Sequence, residues 1–226
     1  IPTSPSHYEL LNINFKSESD TEVLVNSYMY WGDKCFNYFD GMWAAAIYDF
    51  KNKTTFLSRD YIGQKPLFYT HIKNKLIFSS QINGIFQVEK KFEFSKKNTL
   101  EYFKFNHYPA PLTSYKNLLQ VSPGEIVEYG GKKISKQIYW YIEKGGNYNL
   151  FFKKNHTRSI RELFFKIIKK FSIADEKVGL CLSSGLDSQL IKVNLEKFFK
   201  KINSFTIGFK DKTYDESRFI RSSLRS

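Results

Sequence analysis

The chain has 226 residues, 42% hydrophobic and 18% aromatic, and a formal net charge of +13. That apolar content is enough for a packed core and excludes a disordered composition. The lysines lie in short groups along the whole chain, so the charge reads as compositional bias and no nucleic-acid partner is expected. In chain order, Asp20-Thr21-Glu22 marks a helix start with Asp20 as N-cap, and Val23, Leu24, Ser27 and Tyr28 share one face of the helix that follows. Trp31-Gly32 closes it. Residues 42–50 and 54–59 form a predicted hairpin around Lys51-Asn52-Lys53, and 66–70 with 75–79 a second around Lys73-Asn74. Strand–turn–strand repetition with few helices predicts a layered antiparallel sheet.

Between about 91 and 155, Pro109-Ala110-Pro111 and Ser122-Pro123-Gly124 are turn signals. Residues 125–129 and 137–141 are predicted to pair around Gly130-Gly131, with Gly145-Gly146-Asn147 as a linker. Then the pattern changes. Ile160, Leu163, Phe164, Ile167, Ile168 and Phe171 recur at helical period. Residues 177–182 read as a buried parallel strand, 189–200 as a helix, 202–209 as the next strand and 216–224 as a last helix. This β-loop-α-β order is the unit of a doubly wound α/β sheet. Cys35 and Cys181 cannot build a disulfide framework, have no Cys or His at metal-ligand spacing, and read as small buried residues. No apolar run approaches the roughly 20 residues of a membrane span. A cytoplasmic protein without a membrane partner is expected. The chain starts at Ile1 and ends inside a predicted helix, so it reads as a fragment.

The chemistry centres on Ser183-Ser184-Gly185-Leu186-Asp187-Ser188. A strand, a loop of small residues and a helix present unpaired N–H groups and the positive end of a helix dipole, which suits phosphate. Ser183, Ser184 and Ser188 add hydroxyls. Asp187 would repel an anion unless a cation lay between them, so it marks a Mg²⁺ contact. The spacing fits neither the Walker A nor the dinucleotide-binding glycine pattern. The alternative is a serine-rich capping loop, with Asp187 serving only the helix dipole.

Leu180-Cys181-Leu182-Ser183-Ser184-Gly185-Leu186-Asp187-Ser188, with Ser204-Phe205-Thr206-Ile207-Gly208-Phe209 and Tyr214-Asp215-Glu216-Ser217, resembles the synthetase domain of glutamine-dependent asparagine synthetases. Upstream, Ser19-Asp20-Thr21-Glu22, Trp31-Gly32, Asp40-Gly41-Met42, Tyr48-Asp49 and the run from Arg59-Asp60-Tyr61 through Gly63-Gln64-Lys65-Pro66 to Tyr69 resemble that family's class II glutamine amidotransferase domain. Ser122-Pro123-Gly124 and Tyr139-Trp140 belong to the same match.

The resemblance implies an α+β, Ntn-type layered antiparallel domain over 1–145 and a doubly wound parallel α/β nucleotide-binding domain over 146–226, each partial. It implies glutamine hydrolysis, adenylation of the aspartate side chain by ATP with Mg²⁺, and attack by ammonia to give asparagine. Glutamine, aspartate and ATP are the implied small molecules, and a homodimer is allowed. Related enzymes amidate a sugar acid or close a β-lactam, and an inactive nucleotide-binding fragment is the third reading.

By alignment, Leu182, Ser183, Ser184, Gly185, Leu186, Asp187 and Ser188 would meet ATP, with Asp187 at the metal. Ile207 would pack near adenosine or serve as strand core. Asp20 would bind the α-amino group of glutamine, cap its helix, or both. Arg59-Asp60 would pair within the sheet. Tyr214-Asp215-Glu216-Ser217 would lie near the nucleotide or cap a helix. Three departures stand out: the family's N-terminal nucleophilic cysteine is absent, so no catalytic residue is assigned; the later Ser-Gly-Glu-Gly loop is absent; and Ser184 replaces the usual glycine, where a Cβ would crowd phosphate or demand an unfavourable backbone angle.

Overall fold

The computed structural model describes residues 15–17, 19–142, 156–174 and 176–223. The chain forms two compact units, Ile1–Lys144 and Gly145–Ser226. The Gly145-Gly146-Asn147 linker lies outside the described residues.

The first unit opens with α1 (Asp20–Trp31). Ser19, in extended conformation, is its N-cap, and the Thr21 N–H donates to Ser19 Oγ at 3.2 Å. The expected cap, Asp20, is instead the first helical residue. Asp20 is an acidic residue of the first turn, where the helix dipole favours a negative charge. Glu22 reaches back to accept from the N–H groups of Lys16 and Ser17. Gly32, at φ +59, ends the helix by donating to the Tyr28 carbonyl, and a 3₁₀ helix, Gly32–Tyr38, follows.

Strands β1 (Ala44–Asp49) and β2 (Thr54–Arg59) make the first hairpin, with Asp49 opposite Thr54. The Asn52 N–H donates to Asp49 Oδ1 and fixes the turn. Strands β3 (Phe68–Ile72) and β4 (Lys75–Ser79) make the second. Lys73 and Asn74, both at positive φ, form the tight two-residue turn that matches strand twist. The helices α2 (Ile82–Val88) and α3 (Lys96–Phe105) were not expected. α3 nevertheless carries its own punctuation, with Ser95 accepting from the Asn98 N–H at 3.2 Å and Asn106 ending it at φ +57. Strand β5 (Leu118–Gln120) pairs with β3.

Strands β6 (Glu125–Gly130) and β7 (Lys133–Ile138) form the third hairpin. Its second strand begins four residues earlier than expected. The turn is Gly131-Lys132, both at positive φ, so Gly130 pairs with Lys133 and Glu125 with Ile138. Tyr139 and Trp140 therefore leave the ladder, and both donate to the Gly124 carbonyl.

Two antiparallel sheets result, ordered β1-β2-β6-β7 and β4-β3-β5. The alternation of side chains across the first sheet explains the layering. Leu57 and Val127 face the second sheet and pack with Leu67, Tyr69 and Val121. Phe56 and Ile126, one residue away on each strand, face α1 and the 3₁₀ helix and pack with Cys35, Phe36, Phe39 and Trp43. Helix, sheet and sheet are stacked in that order.

The second unit comprises α4 (His156–Phe171), β8 (Gly179–Cys181), α5 (Leu186–Leu195), β9 (Asn203–Phe205) and α6 (Ser217–Ser223). β8 and β9 are parallel, with Leu180 opposite Ser204. α4 has its predicted range, both strands are shorter than theirs, and α5 begins three residues early and ends five residues early. The core is Leu180, Leu182, Leu195 and Ile220, with Ile168 of α4 against it. The segment 177–182, expected to be buried throughout, is buried only at Leu180 and Leu182. Cys181, expected to be buried, points from the opposite face and is exposed. No helix among the described residues is long and apolar enough to cross a membrane.

Candidate functional site

In the first unit, the motif residues converge on a buried knot. Asp60 is fully buried. Its carboxyl oxygens accept from the N–H groups of Ile62, Gln64 and Lys65 at 3.2, 2.9 and 3.1 Å, and from Trp43 at 3.4 Å. Its carbonyl accepts from Gly63 and Gly124. Arg59 donates to the carbonyls of Lys65, Gly63 and Val121. Burial lowers the Arg59 pKa from its ordinary value, and the Asp60 charge opposes that shift. Arg59-Asp60 thus organises loop backbone, a wider role than the expected pairing within the sheet.

Glycine is required at two points of this knot. At Gly63, φ +71, a Cβ would meet Arg59 Cζ and Pro123 Cγ at 2.9 Å. At Gly124, φ +65, a Cβ would lie 2.4 Å from the Trp140 carbonyl oxygen. The Tyr139 hydroxyl, its pKa pushed up by burial, donates to the Arg59 carbonyl at 2.7 Å.

The knot fixes Lys65, Pro66 and Trp43, which with Asp20, Leu24 and Ala45 line a cavity of about 410 Å³. Asp20 is exposed at its edge, on the first turn of α1. Sequence reasoning missed Trp43 and Lys65 as walls because both read as ordinary strand and turn residues.

In the second unit, a cavity of about 520 Å³ is lined by residues from β8, β9 and the segments after them. Leu182 and Ser183 form one wall, Phe205, Thr206 and Ile207 another. The Leu182 N–H donates to the Phe205 carbonyl at 2.8 Å, and Thr206 Oγ1 donates to the Leu182 carbonyl at 2.9 Å, so the loop start is tied to the end of β9. Ile207 lies past the strand and is 76% exposed, which removes the strand-core reading. Cys181, Tyr214 and Glu216 also line this cavity.

The loop is braced internally. The Ser183 N–H donates to Ser188 Oγ at 3.2 Å, the Gly185 N–H to Ser183 Oγ at 3.3 Å, and the two serine hydroxyls lie 2.9 Å apart. Ser188 Oγ is also within hydrogen-bond distance of the Ser183 and Gly185 carbonyls. Two of the three expected hydroxyl donors are therefore engaged in the loop itself. Gly185 is the N-cap of α5 at φ −65 and gives no side-chain cap. The N–H groups of Leu186, Asp187 and Ser188 form no hydrogen bond among the described residues. Ser184 is not among the residues at positive φ, so the feared backbone strain is absent. Its N–H donates to Glu216 Oε2 at 2.8 Å.

Asp187 is exposed in the first turn of α5. No group of three or more His, Cys, Asp or Glu among the described residues is placed to hold a metal ion. A single carboxylate still suits Mg²⁺, which is held largely by water and substrate phosphates. Asp215 caps α6 through the Ser217 N–H and hydroxyl, and these bonds hold its carboxyl below the usual range.

Residues 6–140 match the glutamine amidotransferase domain family, and residues 159–225 match the asparagine synthase family. A putative glutamine-hydrolyzing asparagine synthetase of Methanocaldococcus jannaschii is 33% identical over 94% of this chain and 42% of its own length. A Bacillus subtilis asparagine synthetase is 28% identical over 91% of this chain and 34% of its own. The mouse asparagine synthetase is 30% identical over 87% and 36%. The chain thus spans less than half the length of these relatives.

Proposed function

Because the chain belongs to the glutamine-hydrolysing asparagine synthetase family, we propose that its parent protein is a cytoplasmic ligase that makes asparagine from aspartate, ATP and the amide nitrogen of glutamine. The observation that carries the reading is the braced loop Ser183–Ser188 beside a cavity of about 520 Å³, with three N–H groups at the start of α5 that have no partner among the described residues.

The chemistry has two parts. Glutamine and water give glutamate and ammonia. The aspartate side-chain carboxylate attacks the α-phosphorus of ATP, the bond to the bridging oxygen breaks, and pyrophosphate leaves. Ammonia then attacks the acyl-adenylate and releases AMP. The N–H groups of Leu186, Asp187 and Ser188 would hold pyrophosphate oxygens, aided by the dipole of α5. Ile207 and Leu182 would offer apolar surface to the adenosine. Asp187 would hold Mg²⁺, which offsets the negative charge of the phosphates when bound. In the first unit, the Asp20 carboxylate would pair with the α-amino group of glutamine at the edge of the cavity framed by Trp43 and Lys65.

The test is product analysis on the full-length protein supplied with glutamine, aspartate and Mg·ATP. Asparagine, glutamate, AMP and pyrophosphate are expected. ADP instead of AMP, or no asparagine, overturns the reading.

A further inference from the structure

The backbone N–H of Ser184 is already held by an anion of the protein itself. It donates to Glu216 Oε2 at 2.8 Å, from a residue 32 positions further along the chain. Glu216 lines the same cavity as Leu182, Ser183 and Ile207. It is anchored there by its own backbone, whose carbonyl accepts from the N–H groups of Phe219 and Ile220 at 3.0 and 3.2 Å as α6 begins. A carboxylate oxygen on a loop N–H makes the bond a phosphate oxygen would make in its place. Two anions at one donor repel each other, so they exclude one another there. The Ser183–Ser188 bracing does not involve Glu216, so the loop keeps its shape when the carboxylate leaves.

The geometry points to Glu216 as an internal occupant of the phosphate loop, holding the Ser184 N–H until a phosphate oxygen displaces it. This rests on the phosphate-loop reading given above. Phosphate binding then exchanges one charge-assisted hydrogen bond for another. The empty loop is kept in a binding-ready form, and affinity for phosphate is set lower than the bare donors would give. Displacement also frees the Glu216 side chain from the loop, so filling of the site is felt at the start of α6.

The test titrates the 226-residue chain with inorganic pyrophosphate by calorimetry, with and without Mg²⁺, beside Glu216→Ala, Glu216→Asp and Glu216→Gln. Glu216→Asp keeps the charge and the backbone start of α6 but is one methylene shorter. Glu216→Ala is expected to bind pyrophosphate about tenfold tighter, the worth of one charge-assisted hydrogen bond, and Glu216→Asp, which vacates the donor but keeps its charge nearby, tighter than the unaltered chain by less than that. Glu216→Gln, which still accepts but no longer repels, falls between Glu216→Ala and the unaltered chain. Amide exchange at Ser184 should be slow in the unaltered chain, fast in Glu216→Ala, and slow again in both once pyrophosphate is added. Equal affinity in all four chains overturns the occupant role and leaves the phosphate loop standing. Weaker binding of the variants only with Mg²⁺ makes Glu216 a cation ligand and also overturns it. Absence of binding in every chain, with circular dichroism unchanged, defeats the phosphate loop and this proposal together.

Discussion

The two units build their cavities in opposite ways. In the first, the walls hang on buried backbone: Asp60, fully buried, satisfies a set of N–H groups, and Arg59 satisfies a matching set of carbonyls. In the second, the side chains of the Ser183–Ser188 loop are largely exposed and brace one another at the end of a two-stranded sheet. The first is rigid at the cost of tolerance to substitution. The second leaves loop donors at the surface, which suits the proposed phosphate site. A buried polar group without a partner costs far more than an exposed one, and that sets the contrast.

The largest effect is expected from Asp60→Ala. It orphans the N–H groups of Trp43, Ile62, Gln64 and Lys65 in or near the core and should cost about 4 kcal/mol. Urea unfolding followed by fluorescence checks it, and a loss under about 1 kcal/mol would break the contrast between the units.

A smaller effect separates two glycines of the same unit. Gly124→Ala drives a Cβ into the Trp140 carbonyl and should cost about 3 kcal/mol. Gly131→Ala, with similar φ but nothing within 4 Å, should cost about 1 kcal/mol. Equal melting shifts would show that φ alone matters and the knot does not.

The smallest effect is chemical. Cys35 is fully buried and its thiol is pushed up to about 12 by burial, then by the Asp33 charge. Cys181 is exposed and lines the cavity of the second unit. At pH 8 the native chain should react with a thiol reagent at Cys181 only, and Mg·ATP should slow that reaction. The fold favours protonated Cys35, so its contribution to stability is fully present below the ordinary value of 9.0 and is lost as pH rises toward about 12. Two fast-reacting thiols in the native chain would contradict the packing around α1.

Much of this was legible because the signals are local. Lys73-Asn74 between two β-rich runs could only be a tight turn, and the positive φ at both residues agrees. The parallel pairing of β8 and β9 followed from strand, small-residue loop, helix and strand in order. Less local features misled. Gly130-Gly131 suggests a turn one residue too early in the β6–β7 hairpin, because Gly131-Lys132 makes the turn and Gly130 still pairs with Lys133. Ser95 and Asn106 bracket α3 with ordinary capping chemistry, yet Pro109-Ala110-Pro111 nearby suggested only loop. Four of the six residues in the apolar stripe of α4 are uncovered in its unit: Ile160, Leu163, Ile167 and Phe171 are exposed while Ile168 reaches the core.

The sequence by itself determined the family, the order of the two units and the strand–loop–helix order around Ser183–Ser188, because motif spacing and hydrophobic period are properties of neighbouring residues. Only the tertiary structure decided that Ser19 rather than Asp20 caps α1, that Cys181 faces outward, that Ser184 is unstrained, and that Glu216 reaches the loop. Those outcomes depend on where distant segments meet. Sequence spacing carries no measure of that distance.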